Sequence, residues 1–200
     1  MGRLMAVVHM SRSLSEGSEP FIRQLSEALG VPELRCGRHT LRDRKGWLDD
    51  KIEVSCLWHA VVMPSFHPWA AIGVVHREQS EFRGKMHPSI IRAAVVLFDP
   101  ADGQLQGWSA AEVNSDPLTE ALGGIQFLPG TKSMSLDGIS YRVCTSDSEI
   151  DATLHIHNPR TTSLRAIEQT LFQVASTVQK DAGKDEVAAY LNSWQEYLER

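Results

Sequence analysis

The stretch IEVSCLWHAVVM, residues 52–63, is the part of the sequence that decides the fold. Apolar side chains recur there at every second position, with Cys56 and Trp58 in one set and His59 in the other. A period of two is typical of a β-strand, whose successive side chains point to opposite faces of a sheet. The alternation therefore predicts one long strand, with Cys56 and Trp58 on the face opposite His59.

Further strands are predicted downstream of this one. The patterns indicate strands over 70–76, 90–98, 104–113, 139–145 and 150–157, the fourth of them after a hairpin signal at Asp137-Gly138. The run at 90–98 is almost wholly apolar, which predicts a strand in the interior of the sheet. The composition DPADG at 99–103 is typical of a reverse turn, so we expect neighbouring strands to be antiparallel.

Helical periodicity is confined to the two ends of the chain. Residues 18–30 carry one apolar stripe, and residues 162–198 carry two stripes in succession. The strands form one block over 52–157 and do not alternate with helices, which indicates the α+β class. We expect the whole chain to form a single domain: a mainly antiparallel sheet of about six or seven strands, with one N-terminal and two C-terminal helices packed on it. Residues 1–17 are expected to be disordered.

Composition and charge exclude several classes of function. With 200 residues, 42% of them hydrophobic, the chain can bury one continuous core. Five more acidic than basic residues make the molecule as a whole unattractive to a polyanion, so nucleic-acid binding is disfavoured. Nothing approaches the roughly 18 consecutive apolar residues of a membrane span. The three widely spaced cysteines favour a reducing compartment, and we expect a cytoplasmic location.

A basic segment lies between the first helix and the long strand. The run RCGRHTLRDRK, residues 35–45, has almost no apolar periodicity, which indicates a basic loop or an edge segment within 35–50. Clustered cations beside a tryptophan combine electrostatic steering with an aromatic anchor, although a solvated face explains the same pattern. We predict that the segment contacts an acidic protein partner through Arg35, Arg38, His39, Arg42, Arg44, Lys45 and Trp47.

Two histidines in the last predicted strand suggest an alternative function. His155 and His157 are two residues apart, so they share a face and can chelate a divalent metal. A catalytic centre needs a third ligand, for which His59 is a candidate. The competing interpretation places both imidazoles on the solvated side of an outer strand. If the metal is bound, the sequence predicts a metal-dependent hydrolase.

The cysteines receive separate interpretations. Cys56 and Cys144 lie in predicted strands, where buried thiols behave as small apolar side chains. Cys36 stands among Arg35 and Arg38, which favour its thiolate, and we interpret it as a reactive loop thiol without a function.

Sequence motifs of common enzyme classes are absent. The sequence contains no phosphate loop, nucleophile elbow, dinucleotide fingerprint or calcium loop. We therefore expect a non-catalytic binding or accessory protein that acts through a protein partner and uses no cofactor, with the metal-dependent hydrolase as the alternative.

Overall fold

A computed structural model describes residues 19–31, 34, 36–42, 51–82, 85–123, 138–146, 151–182 and 184–199. One antiparallel sheet of seven strands, one N-terminal helix and two C-terminal helices confirm the predicted α+β class. None of the helices in the described ranges is long and apolar enough to cross a membrane. The expectation for residues 1–17 lies outside the described residues.

The described strands form one block between the N-terminal helix and the two C-terminal helices, and one short helix interrupts that block. In chain order they are α1 (Glu19–Leu29), β1 (Gly37–Arg42), β2 (Lys51–Pro64), β3 (Trp69–Arg77), β4 (Ser80–Phe82), β5 (Lys85–His87), β6 (Ile90–Phe98), β7 (Leu105–Val113), α2 (Pro117–Gly123), β8 (Ile139–Ser146), β9 (Asp151–His157), α3 (Thr162–Ala182) and α4 (Asp185–Leu198).

The long strand β2 organises the sheet. The strand order is β7-β6-β3-β2-β8-β9, and β1 pairs with β2 outside this path, whereas β4 and β5 form a separate hairpin. One edge of β2 is occupied by β3. The other edge is divided between two strands, because β1 pairs with residues 51–56 and β8 pairs with residues 58–64.

A β-bulge at Leu57 separates these two halves of β2. Cys56 and Trp58 pair with consecutive residues of β3, so Leu57 is an extra residue in the ladder. The extra residue changes the alternation, and Cys56 consequently lies on the same face as His59. The prediction that Cys56 shares a face with Trp58 is wrong, because the bulge interrupts the period of two.

Buried side chains form two clusters, one on each face of the sheet. The first lies under α3 and α4 and includes Trp58, Val95, Leu97, Ile167 and Leu171. The second lies under α1 and includes Val54 and Cys56. The prediction of one continuous core is therefore wrong for Val54 and Cys56, which the bulge separates from Trp58.

Two glycines determine how α1 sits on the sheet. A Cβ atom at Gly73 of β3 would lie 3.0 Å from Leu25 Cδ2 and 3.1 Å from Leu29 Cδ1, so the helix can approach β3 closely only at a glycine. Gly30 has a φ of 76°, the left-handed conformation that commonly ends a helix.

A polar network lies inside the first cluster. Glu168 is only 4% exposed, and its carboxylate accepts a hydrogen bond from the Tyr141 hydroxyl. The indole nitrogen of Trp194 donates to the Tyr141 oxygen at 3.1 Å. Burial raises the pKa of Glu168, although the Tyr141 hydrogen bond and the charge of Arg165 oppose that effect. The ionised form of Glu168 is therefore disfavoured in the folded protein.

We expect Leu171→Ala to lower the free energy of unfolding by about 2 to 5 kcal/mol, because Leu171 is fully buried and truncation leaves a cavity. Leu105→Ala on β7 is the matched control, since Leu105 is 42% exposed and should matter far less. Urea denaturation of both variants measures the difference. Equal losses would contradict the packing of α3 against the sheet.

We expect Glu168→Gln to gain stability relative to the wild type as the pH rises. The folded-state pKa of Glu168 is raised. The contribution of Glu168 to the stability of the wild type is therefore fully present below the unfolded pKa of about 4.3, and it is lost as the pH rises through the folded-state pKa. Glutamine does not ionise in this range. The difference in unfolding free energy, variant minus wild type, should increase between about pH 4 and pH 8. A difference that stays constant with pH would contradict the raised pKa.

Candidate functional site

Two strand ends meet beside the bulge of β2. Gly37, the first residue of β1, pairs with Cys56, and Thr145 near the end of β8 pairs with Trp58. Both strands use the same edge of β2, so the end of β8 and the start of β1 lie next to each other at Leu57. The Thr145 hydroxyl donates to the main-chain oxygen of Leu57 at 3.1 Å.

All three cysteines of the chain converge at this junction as free thiols. Cys36 directly precedes β1, and Cys56 lies on the first half of β2. Cys144 pairs with His59 across β2 and β8, which places their side chains on one face. The bulge brings Cys56 to that same face. We call Cys36, Cys56, His59 and Cys144 the thiol–imidazole cluster.

The donor atoms of the cluster are close together. Cys36 Sγ lies 3.3 Å from His59 Nδ1, and the protonated Cys36 thiol donates to the main-chain oxygen of Cys144 at 3.2 Å. The sulfur atoms of Cys36 and Cys56 and a ring nitrogen of His59 all lie within 4.8 Å of one another. Cys144 lies opposite His59 on the neighbouring strand, and its sulfur accepts a hydrogen bond from the Thr153 hydroxyl at 3.6 Å.

The cluster favours an ionised Cys36 beside a protonated His59. The hydrogen bond from the Cys56 thiol lowers the pKa of Cys36 to about 5, and the His59 contact adds to this against the effect of burial. Burial opposes the charged form of His59, but its bonds to Cys144 and Cys36 raise its pKa to about 9. Both shifts favour a thiolate at Cys36 beside an imidazolium at His59.

The other two thiols differ from each other. The hydrogen bond to Cys36 and burial raise the pKa of Cys56, which therefore keeps its proton at neutral pH. Burial also opposes ionisation of Cys144, but the hydrogen bond and charge of His59 outweigh it and lower its pKa. Cys56 is only 3% exposed, whereas Cys36 and Cys144 are half-buried. The cluster thus contains one buried and two partly exposed cysteines.

The basic segment contains an edge strand. Residues 37–42 form β1, so the predicted loop over 35–50 is wrong there and the edge-segment interpretation is the correct one. Arg38 pairs with the Glu78 carboxylate at 2.7 Å in an exposed ion pair. His39 and Arg42 also lie on β1. The remaining residues predicted to bind a partner lie outside the described residues: Arg35, Arg44, Lys45 and Trp47.

The predicted metal ligands do not come together. His155 and His157 are exposed on β9, where they pair with Arg142 and Ser140 of β8. His59 lies two strands away and pairs with Cys144 instead. The register therefore separates His59 from the histidine pair along the strands as well as across them.

The thiol–imidazole cluster was not predicted from the sequence, because strict alternation puts Cys56 and His59 on opposite faces. One signal could have found part of it. The run CLWH at 56–59 places two soft ligands three positions apart, a spacing that also occurs between paired ligands in structural zinc sites.

No protein-family model, curated protein or solved structure matches this chain. The chemistry of the thiol–imidazole cluster is the feature that bears on its function.

We expect iodoacetamide to alkylate Cys36 and Cys144 before Cys56 in the reduced, metal-free protein at pH 7, because partly exposed thiols with lowered pKa values react faster than a buried thiol whose pKa is raised. Cys56 should react only after unfolding. Peptide mass mapping over a time course measures both rates. His59→Asn should slow the labelling of Cys36, and early labelling of Cys56 would contradict the described burial.

Proposed function

We propose that the protein binds a zinc ion and that the thiol–imidazole cluster holds it. The observation that carries the proposal is the mutual distance of the Cys36, Cys56 and His59 donor atoms, all within 4.8 Å. These residues come from the segment before β1 and from both sides of the bulge. Thiolate sulfur and imidazole nitrogen are the donors that zinc prefers in proteins.

The spacing of the donors is compatible with tetrahedral coordination. With Zn–S near 2.3 Å and Zn–N near 2.0 Å, a sulfur and a nitrogen bound to the same ion are about 3.5 Å apart. Cys36 Sγ and His59 Nδ1 are already 3.3 Å apart. Small side-chain rotations would bring Cys56 into the same sphere.

Cys144 is the proposed fourth ligand. Its thiol contacts the His59 ring, and it follows from the strand register that both side chains project from the same face. Three sulfurs and one imidazole make a closed tetrahedral set, which is typical of structural zinc sites. The lowered pKa values of Cys36 and Cys144 support the proposal, since only thiolates bind zinc.

Such an ion would connect separate parts of the sheet. It would join Cys36, just before β1, to Cys144 near the end of β8, while both strands remain paired with β2. A structural role of this kind is compatible with a binding or accessory protein. That the protein acts through an acidic protein partner stays a prediction. The metal would hold β1 in place, and this strand carries Arg38, His39 and Arg42.

The alternative of a hydrolase built on His155 and His157 has less support, because His59 is not within reach of that pair in the described register. The two candidate sites share no ligand once His59 is assigned to the cluster. They can therefore be separated by mutation.

We expect one zinc ion per chain in protein purified without an affinity tag, measured by elemental mass spectrometry. Cys36→Ser and Cys56→Ser should each reduce the zinc content strongly, whereas the double variant His155→Ala, His157→Ala should retain it. Cobalt substitution of the wild type should give thiolate-to-metal charge transfer and the visible bands of tetrahedral coordination.

The same measurement identifies the outcomes against the proposal. Wild-type protein without bound metal, even after refolding with zinc, would overturn it. Zinc that survives Cys56→Ser but is lost in the double histidine variant would move the site to β9 and support the hydrolase alternative.

A further inference from the structure

We infer that hydroperoxides oxidise the thiol–imidazole cluster and that the product is a disulfide between Cys36 and Cys56. The inference rests on the proposed function in one respect, since it names a reaction that would control the metal site. The disulfide itself requires only the arrangement of the thiols.

The positions of the two cysteines suit a disulfide. Gly37 pairs directly with Cys56, so Cys36 is one residue from the opposed position on the neighbouring chain segment. Their sulfur atoms already lie within 4.8 Å. A disulfide has a sulfur–sulfur bond of about 2.05 Å and Cβ atoms roughly 3.5 to 4.5 Å apart. Side-chain rotation would bring the two sulfurs together, and a shift of the segment before β1 would adjust the spacing of the Cβ atoms.

The difference in exposure sets the order of events. Cys36 is half-buried and contacts His59, whereas Cys56 is 3% exposed. A small oxidant therefore meets Cys36 before it meets Cys56. Cys144 is also half-buried, but its sulfur is not one of the donor atoms that lie within 4.8 Å of one another. Cys56 is thus the better-placed partner for an oxidised Cys36.

The reaction balances in two steps. In the first, Cys36 sulfur attacks one oxygen of the hydroperoxide, the O–O bond breaks, and the departing oxygen leaves as an alcohol, or as water from hydrogen peroxide. The departing oxygen takes a proton from solvent water, so this step requires no proton from a ligand of the proposed zinc ion. Cys36 becomes a sulfenic acid.

In the second step, Cys56 sulfur attacks the Cys36 sulfur and breaks its S–O bond. The hydroxyl leaves as water with the Cys56 proton, and the disulfide forms. Two thiols are oxidised by two electrons in total, and one hydroperoxide is reduced. A dithiol reductant reverses the disulfide by exchange.

The disulfide would release the zinc ion. Thiolates are the ligands of zinc, and disulfide formation removes two of the four proposed donors. Only His59 and Cys144 would then remain, which is half of a tetrahedral set. Oxidation would consequently free the segment before β1 from β8.

The experiment has a zinc-loaded and a metal-free arm. Each sample is treated with a few equivalents of hydrogen peroxide, zinc release is followed with a chromogenic chelator, and disulfides are mapped by mass spectrometry of a non-reduced digest. We expect a Cys36–Cys56 linkage in both arms, release of the bound zinc in the first, and reversal by dithiothreitol. Cys144→Ser, tested metal-free, is the control variant and should still form the linkage.

Trapping defines the order of the two steps. In metal-free Cys56→Ser, dimedone should label Cys36, because its sulfenic acid has lost the resolving thiol. A Cys36–Cys144 linkage, dimedone labelling confined to Cys144, or no linkage in either arm would overturn the inference. The arms distinguish it from the proposed function: linkage without any bound zinc would reject the zinc site alone, and bound zinc without linkage would reject the disulfide alone.

Discussion

The extra residue at Leu57 in β2 is the constraint on which the rest of the structure depends. It lets a single strand contribute to both layers of the protein, with Cys56 on the α1 side and Trp58 on the α3 side. It also marks where β2 exchanges one neighbour, β1, for another, β8. An uninterrupted strand of this length would put Cys56 and His59 on opposite faces, and the thiol–imidazole cluster would not form.

Elements whose pattern is local could be predicted from the sequence. The strand over 90–98 and the helical pair within 162–198 appear where the periodicity indicates them, because burial on one or both faces determines which residues occur there. The bulge has no comparable local pattern. It depends on the register that β2 adopts with β3 and on the pairing of β2 with β8, a strand that is distant in sequence. The pattern at 52–63 therefore predicted the strand correctly. It did not predict that the side chains before and after Leu57 differ in phase.

The candidate site was harder to predict for a related reason. Cys36 and Cys144 are 108 positions apart and meet only because β1 and β8 pair with the same edge of β2. By contrast, the metal prediction for His155 and His157 came from their spacing of two residues in the sequence. That spacing ensures that two ligands share a face, but it does not provide the third ligand that a site needs. The strand order decides which third ligand lies nearby, and the sequence patterns did not determine the strand order.

The junction of β1 and β8 also explains why polar side chains collect there. A β-ladder that changes partner leaves main-chain groups without their regular bonds, and buried groups of that kind must be satisfied by other donors. While it is protonated, the Cys36 thiol donates to the main-chain oxygen of Cys144, and the Thr145 hydroxyl donates to that of Leu57. A thiol is a weak donor, so it gives up little when it ionises to bind a metal or reacts with an oxidant. The break in the β-ladder therefore favours hydrogen-bonding side chains at this point. A cysteine there can also bind a metal or be oxidised, which distinguishes it from a side chain with a hydroxyl group.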